Sequence, residues 1–268
     1  MTGKKYTIAA HGGAGSANEH ADGTERAVQR CLQSLRSGAS VLESVCQAVA
    51  TLEDDPRFNA GTGSSRRTDG SAQMDAACMD SGGQFGAVTV LEGFKNPIHI
   101  AHAVSKTEYL ALAGPGAAEF ARGLRFPASE PRRERATTLS PPPETGSSDT
   151  VGAVGFDGET FAAALSTGGR GGAIPGRVGD VPLIGCGLFA GPSGAVAATG
   201  DGEKIAMQLT AFRAYQMLER GADPEIVLKT ALTWFEETEA AGLILVSRKG
   251  FAGGASRAMA WSGAEAVA

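Results

Sequence analysis

Apolar positions in this chain recur in two rhythms, one of strands and one of helices. Residues 6–10, Tyr-Thr-Ile-Ala-Ala, form a short apolar run that reads as a buried strand and stops at a tight turn, His11-Gly12-Gly13-Ala14-Gly15. A helix is predicted over 23–37, with Gly38 placed to cap its C-terminus. The next covers 40–54: Val41, Val45, Val49 and Leu52 recur at helical spacing, Ser40 and Glu43 form a capping-box pattern, and Pro56 lies just beyond the end. After a glycine-rich loop at 58–65, strand patterns at 71–80 and 84–91 flank Gly82-Gly83, a hairpin signal. Asn96-Pro97 predicts an N-cap and first turn for a helix over 97–105, and another helix covers 116–122. Strand patterns return at 151–157, 161–166, 194–198, 243–247 and 257–261. Helices are predicted at 201–220 and 223–237, the second opened by Asp223-Pro224. Hairpin-linked strands with paired helices in both halves predict an α+β fold of antiparallel sheets covered by helices, not a parallel βαβ sheet.

Between the halves the rhythm is lost. Over 126–149, Pro127, Pro131, Pro141, Pro142 and Pro143 stand among Ser, Thr, Glu and Arg, which reads as a mobile connection. The dense basic cluster, Arg132, Arg133 and Arg135, lies there beside Glu130 and Glu134 and reads as a solvated patch. A net charge of −5 argues against a nucleic-acid partner. Cys31, Cys46, Cys78 and Cys186 are widely spaced in apolar settings, so they suggest buried thiols and not a disulfide framework. No run approaches the roughly 20 apolar residues of a membrane span, and the N-terminus has no signal-peptide pattern. The expectation is a cytoplasmic protein with no membrane partner.

The 38 glycines imply many tight turns and close backbone approaches. They do not form nucleotide loops: Gly13-Ala14-Gly15, Gly61-Thr62-Gly63 and Gly114-Pro115-Gly116 lack the third glycine of the dinucleotide fingerprint, and no GK[ST] occurs. Histidines and cysteines show no metal-site spacing, and His99 and His102 read as ordinary helix residues. More suggestive is Thr150, which opens a strand directly after the linker. Cutting the Asp149–Thr150 bond would give Thr150 a free α-amine beside its own hydroxyl, a recognised way to activate this nucleophile. Downstream, Ser166-Thr167-Gly168-Gly169 ends a strand, Arg177-Val178-Gly179-Asp180 follows in a turn, and Thr199-Gly200-Asp201-Gly202 joins a strand to a helix. Arg177 and Asp180 could grip the two charged groups of a free α-amino acid. The Thr199 hydroxyl and Gly200 N–H could serve an oxyanion. Each group alone also fits an ordinary turn or surface pair.

Taken together and in this order, these residues resemble the plant-type asparaginase and isoaspartyl peptidase family of N-terminal-nucleophile hydrolases, relatives of glycosylasparaginase and taspase. The resemblance extends through His11-Gly12-Gly13-Ala14-Gly15, Asn59-Ala60-Gly61-Thr62-Gly63-Ser64, Met74-Asp75-Ala76, the block at 88–97, Leu112-Ala113-Gly114, 150–154, 166–169, 176–180 and 199–203. It implies a single-domain, four-layer αββα sandwich, made as a precursor that cleaves itself into an α chain, 1–149, and a β chain, 150–268. By resemblance, Thr150 is the nucleophile and its new amine the base, and Thr167 orients the hydroxyl. Arg177 binds the substrate α-carboxylate and Asp180 the α-ammonium. Thr199 and Gly200 form the oxyanion hole, and Asn59 steadies the nucleophile's strand. The family's sodium-binding loop maps onto backbone carbonyls of Leu52, Glu53, Asp55, Phe58, Ala60 and Thr62; no cofactor is implied for catalysis. Implied substrates are L-asparagine and β-aspartyl dipeptides, and the implied assembly is a homodimer of αβ units.

The chain departs from the family pattern in places. The linker is short, Asp149 stands where many members have Gly, Glu236-Glu237-Thr238-Glu239-Ala240-Ala241 replaces a more glycine-rich loop, and Leu188-Phe189 replaces small and Tyr residues. Asp before the threonine is a feature of glycosylasparaginase and taspase relatives, so a hydrolase of that kind, or an inactive binding homologue, is the alternative.

Overall fold

The structure, a computed structural model, describes residues 4–129 and 150–267. Its elements follow in chain order: β1 (Lys5–His11), α1 (Ala21–Arg36), α2 (Val41–Glu53), β2 (Met74–Asp80), β3 (Phe85–Leu91), α3 (Pro97–Val104), β4 (Ala111–Ala113), α4 (Gly114–Gly123), β5 (Val151–Phe156), β6 (Phe161–Thr167), β7 (Leu188–Gly191), β8 (Gly194–Gly200), α5 (Gly202–Met207), α6 (Thr210–Glu219), α7 (Pro224–Leu232), β9 (Ala241–Ser247), β10 (Gly250–Ala255) and β11 (Trp261–Val267). Local chemistry explains several boundaries. The Ser40 side chain accepts from the Glu43 N–H at 3.2 Å, a cap worth about 1 kcal/mol. Gly38, at φ +91°, terminates α1.

One sheet runs β11-β1-β5-β6-β2-β3-β4 and the other β10-β9-β8-β7. Every ladder is antiparallel except β3 with β4, as the hairpin pattern implies. Strands β5 and β6 are buried along their whole length, because each face meets a different layer. Val151, Ala153, Ala162 and Ala164 pack with Val45, Val49 and Leu52 of α2. Val154, Phe161, Ala163 and Leu165 face Leu188, Ala195, Ile244 and Val246 of the second sheet. The far side of that sheet, Val196, Ala198, Leu243 and Leu245, is covered by Ala214 and Leu218 of α6 and Val227 of α7. Three stacked cores thus separate four layers, α, β, β, α. Among the described residues, no helix is long and apolar enough to cross a membrane.

Several expectations shift. The helix predicted over 201–220 divides into α5 and α6 at Leu209, whose φ of +50° cannot continue a helix. The helix predicted to 237 ends at Leu232, and the last strand starts at Trp261, where the prediction ends. Strands β4, β7 and β10 are short or rich in Ala and Gly and carry no alternation to betray them. Asn96 does not cap α3. Its amide reaches across to Asp54 Oδ1 at 2.9 Å and Glu53 Oε2 at 3.2 Å, and Glu53 Oε1 accepts from the Ile98 N–H at 3.1 Å instead. The segment read as a mobile connection from 126 begins packed, with the Ser129 N–H bonded to the Gly93 carbonyl at 2.8 Å. The rest of that segment, with the Arg132, Arg133 and Arg135 cluster and Asp149, lies outside the described residues.

Candidate active site

Antiparallel pairing collects strand ends. Thr150 stands immediately before β5, which pairs on one side with β1 (His11↔Gly152) and on the other with β6 (Val151↔Ser166). Continuing the second ladder sets Thr150 across from Thr167, which in turn pairs with Asp75 at the start of β2. The same edge therefore holds the start of β5, the ends of β1 and β6, and the turn at 12–15. The second sheet delivers the end of β8. There Thr199 Oγ1 accepts from the Thr150 N–H at 3.4 Å and from the Ala14 N–H at 3.1 Å. With both contacts filling its acceptor role, that hydroxyl has its own proton left to donate. Thr150, Thr167 and Thr199 are all buried.

His11 lies under this edge, fully buried, and its imidazole is pushed down to about 3 by burial, against an opposing pull from the Thr150 backbone, so it stays neutral. Gly152 is required here, since a Cβ would collide with the His11 ring.

Past Thr167 the chain turns through Gly168 and Gly169, and the Gly169 N–H bonds back to Thr167 Oγ1 at 3.0 Å. Asn59 secures this turn. Its amide donates to the Gly169 carbonyl at 2.8 Å, its carbonyl accepts from the Gly168 N–H at 2.9 Å, and its Oδ1 accepts from the Ser65 N–H at 2.8 Å. These hydrogen bonds reach the end of β6, the strand next to the one it was expected to steady.

Arg177 and Asp180 lie on the loop between β6 and β7. Arg177 forms a bidentate pair with Glu203 of α5, Nε to Oε1 at 2.9 Å and Nη2 to Oε2 at 2.6 Å. Asp180 is buried, and its Oδ2 has no hydrogen-bond partner. It fits between two glycines: a Cβ on Gly202 would lie 2.7 Å from Oδ1, and one on Gly187 would lie 2.8 Å from Oδ2. Burial raises its carboxyl to about 7, outweighing the pull of its own N–H and of Arg177. An unpartnered buried carboxylate oxygen beside a guanidinium is a place for a small cation that also carries an anion.

Gly200 has φ +135° and pairs with Ala241. Any Cβ there would strike the Ala240 carbonyl, which also accepts from the Asp201 N–H at 2.8 Å. The loop at 236–241 is pinned by Lys204 with Glu239 at 2.8 Å. Leu188 belongs to the core between the sheets, and Phe189 packs on Phe212 and Tyr215. His99 and His102 line an outer groove with Glu43 and Phe120, apart from this edge, and among the described residues no three His, Cys, Asp or Glu side chains are grouped as a metal ion would need.

The expected sodium loop is a separate matter, because its donors are carbonyls. A Cβ on Gly61 would lie 2.5 Å from the Glu53 carbonyl oxygen, and one on Gly63 would lie 2.7 Å from that of Pro56. The turn is closely packed and lined by backbone oxygens, the ligand type that a hard cation takes, and the Leu52, Asp55, Phe58 and Ala60 carbonyls also accept backbone N–H bonds. Arg57, bound to Asp22 and Asp55, braces the turn from outside.

Among the described residues, Thr150, Thr167 and Thr199 meet at this edge, Asn59 holds the turn after Thr167, and Arg177 and Asp180 lie against Gly202, two residues past Gly200, while the sodium loop lies elsewhere. Sequence reasoning did not single out Glu203, Ala14 or Asp75 by role, although each lies inside a block that carried the resemblance. Arg67, buried beside Arg177, had no signal at all.

Comparison with known proteins gives the family. A family model described as asparaginase matches residues 4–140 and 132–266. The chain is 36% identical over 281 residues to a plant-type L-asparaginase of Pyrococcus abyssi, covering 92% of this chain and 91% of that one. It is 35% identical over 286 residues to an isoaspartyl peptidase/L-asparaginase of Danio rerio, covering 96% and 92%. Against the Xenopus laevis protein of that same name it is 35% identical over 269 residues, covering 92% and 87%. With an α+β fold of four layers, a matching family model and relatives aligned over nearly its whole length, this chain belongs to the asparaginase family of plant-type L-asparaginases and isoaspartyl peptidases.

Proposed function

We propose that the chain cleaves itself before Thr150 and then hydrolyses β-aspartyl peptide bonds and the side-chain amide of L-asparagine. The observation that carries this is the meeting, at one sheet edge, of Thr150 with the Thr199 hydroxyl, close to an Arg177–Asp180 pair whose carboxylate has an unused oxygen.

In the precursor the Thr150 nitrogen is an amide and cannot act as a base. Attack of Thr150 Oγ on the Asp149 carbonyl carbon moves the acyl group from nitrogen to oxygen. Water then splits that ester, leaving the Asp149 carboxylate and a free Thr150 amine. For turnover, Arg177 exchanges its pair with Glu203 for the substrate α-carboxylate, and Asp180 takes the α-ammonium, which fixes an L-aspartyl unit with its side-chain carbonyl over Thr150. The amine takes the Oγ proton as oxygen attacks, and the Thr199 O–H and Gly200 N–H receive the oxyanion. The same proton passes to the departing nitrogen, releasing ammonia or an amino acid and leaving a β-aspartyl ester on Thr150. Water, activated by the amine, releases L-aspartate. Asparagine and an isoaspartyl bond present the same carbonyl, so one site serves both.

A sodium ion held by carbonyls of the 52–62 loop fits this reading in a structural role, stiffening the backbone that presents Asn59. The four cysteines, all free and buried, accord with a reducing cytoplasm, and we place the active form in a homodimer of αβ units.

Purified protein should run on a denaturing gel as fragments ending at 149 and starting at 150. Thr150→Ala should stay full length and lose at least about 10⁴-fold in turnover; processing or substantial turnover in that variant would refute the nucleophile. Asp180 must ionise to grip the ammonium, so kcat/KM for a β-aspartyl dipeptide should fall as pH drops through about 7. Bound ammonium favours the carboxylate, which moves that limb of kcat to lower pH. A kcat/KM that stays flat between about pH 8 and 6 contradicts the assignment. Replacing sodium chloride by choline chloride at equal concentration should lower the melting temperature by a few degrees, roughly 2–4 °C per kcal/mol for a chain of this size. Identical melting curves would exclude the ion.

A further inference from the structure

Arg67 is a buried guanidinium (3% exposed) on the approach to β2. Among the described residues it makes no hydrogen bond to a carboxylate. Its Nη2 donates to the carbonyls of Gln73 at 3.0 Å and Arg177 at 3.3 Å, its Nη1 to that of Arg170 at 3.4 Å, and its Nε has no partner. The fork lies against the turn after Thr167, where a Cβ on Gly169 would sit 2.6 Å from both terminal nitrogens. Neighbouring residues hold the same loop: the Thr68 N–H bonds the Ala173 carbonyl at 3.0 Å, the Gly172 N–H bonds the Arg66 carbonyl at 2.8 Å, and Gln73 Oε1 accepts from the Gly176 N–H at 2.7 Å.

Asp75 is the nearby acidic partner of Arg67. It is fully buried opposite Thr167, with Oδ1 bonded to the Val90 N–H at 2.9 Å and Oδ2 unpartnered. Arg67 and Arg177 both attract its carboxylate. Arg177 therefore already faces Asp75, Asp180 and Glu203 before an anionic substrate arrives. A buried guanidinium is costly, and it is the side chain best suited to stay charged there while bonding several oxygens at once.

We propose that Arg67 is a positioning residue for the α-carboxylate site: it anchors the Arg177 backbone, and its charge offsets Asp75, which leaves Glu203 as the carboxylate that a substrate displaces from the Arg177 fork. This deepens the hydrolase reading and rests on it. The role is separable from self-cleavage, which uses Thr150 but no α-carboxylate.

The test compares wild type, Arg67→Lys, Arg67→Met and Arg67→Met/Asp75→Asn for self-cleavage, for steady-state hydrolysis of a β-aspartyl dipeptide, and for inhibition by L-aspartate. Arg67→Met should raise KM and the L-aspartate Ki together by roughly tenfold, the size of a lost charge-assisted hydrogen bond, with a much smaller fall in kcat and unchanged self-cleavage. Arg67→Lys, which keeps the charge but not the fork, should lie between. Adding Asp75→Asn should restore most of KM. Unchanged KM and Ki in Arg67→Met, parallel loss of kcat and self-cleavage, or no recovery in the double variant would overturn the proposal. If Arg67→Met does not fold, Arg67→Lys decides by the same KM and Ki shift. Absence of hydrolysis by wild type would instead count against the hydrolase reading itself.

Discussion

Strand β5 is hydrogen-bonded on both sides and buried on both faces, and a slip of one residue in either ladder would turn its side chains to the wrong layer. Val151 and Ala153 would then face the sheet core, and Val154 and Phe156 the helices, with neither set matched to its new space. Glycine makes the register stricter still. Gly152 admits the His11 ring on one face, and on the other a Cβ at Gly155 would lie 3.0 Å from Val45 and 3.1 Å from Ile8. This doubly enforced register is what fixes Thr150 relative to Thr167, and packing the second sheet on the same core brings in Thr199. The geometry of the candidate site is thus a consequence of core packing, which suits the proposed chemistry because it tolerates little misplacement.

Electrostatics at the site follow from the same burial. Asp180 is raised to about 7 and Asp75 to about 6, chiefly by loss of water. Both carboxyls keep one oxygen without a partner, and Arg67 and Arg177 supply the compensating charge. Unpartnered carboxylate oxygens beside buried guanidinium groups are the complement of a zwitterion, as the proposed α-amino acid unit requires.

Much of this was legible in the sequence where physics is local. The helices over Ala21–Arg36 and Val41–Glu53 declared themselves by spacing and capping, and the hairpins by glycine between alternating runs. Where the deciding partner is distant in sequence, the reading failed. Asn96 looks like a cap until Asp54 and Glu53 compete for its amide, and Leu209 breaks a helix with no glycine or proline to announce it. The site shows the same division. Thr150, Thr167, Arg177, Asp180 and Thr199 stand in recognisable blocks, whereas Glu203 as the occupant of Arg177, Ala14 as a donor to Thr199, and Arg67 depend on which strand ends meet.

The most direct measurement follows the acyl group. Self-processed protein is mixed with a β-aspartyl dipeptide, quenched in acid during turnover, digested and analysed by mass spectrometry. The account predicts a β-chain peptide beginning at Thr150 that carries one aspartyl group on that threonine. An aspartyl group on any other residue, or a chain in which Thr150 never becomes a terminus while hydrolysis continues, would contradict it.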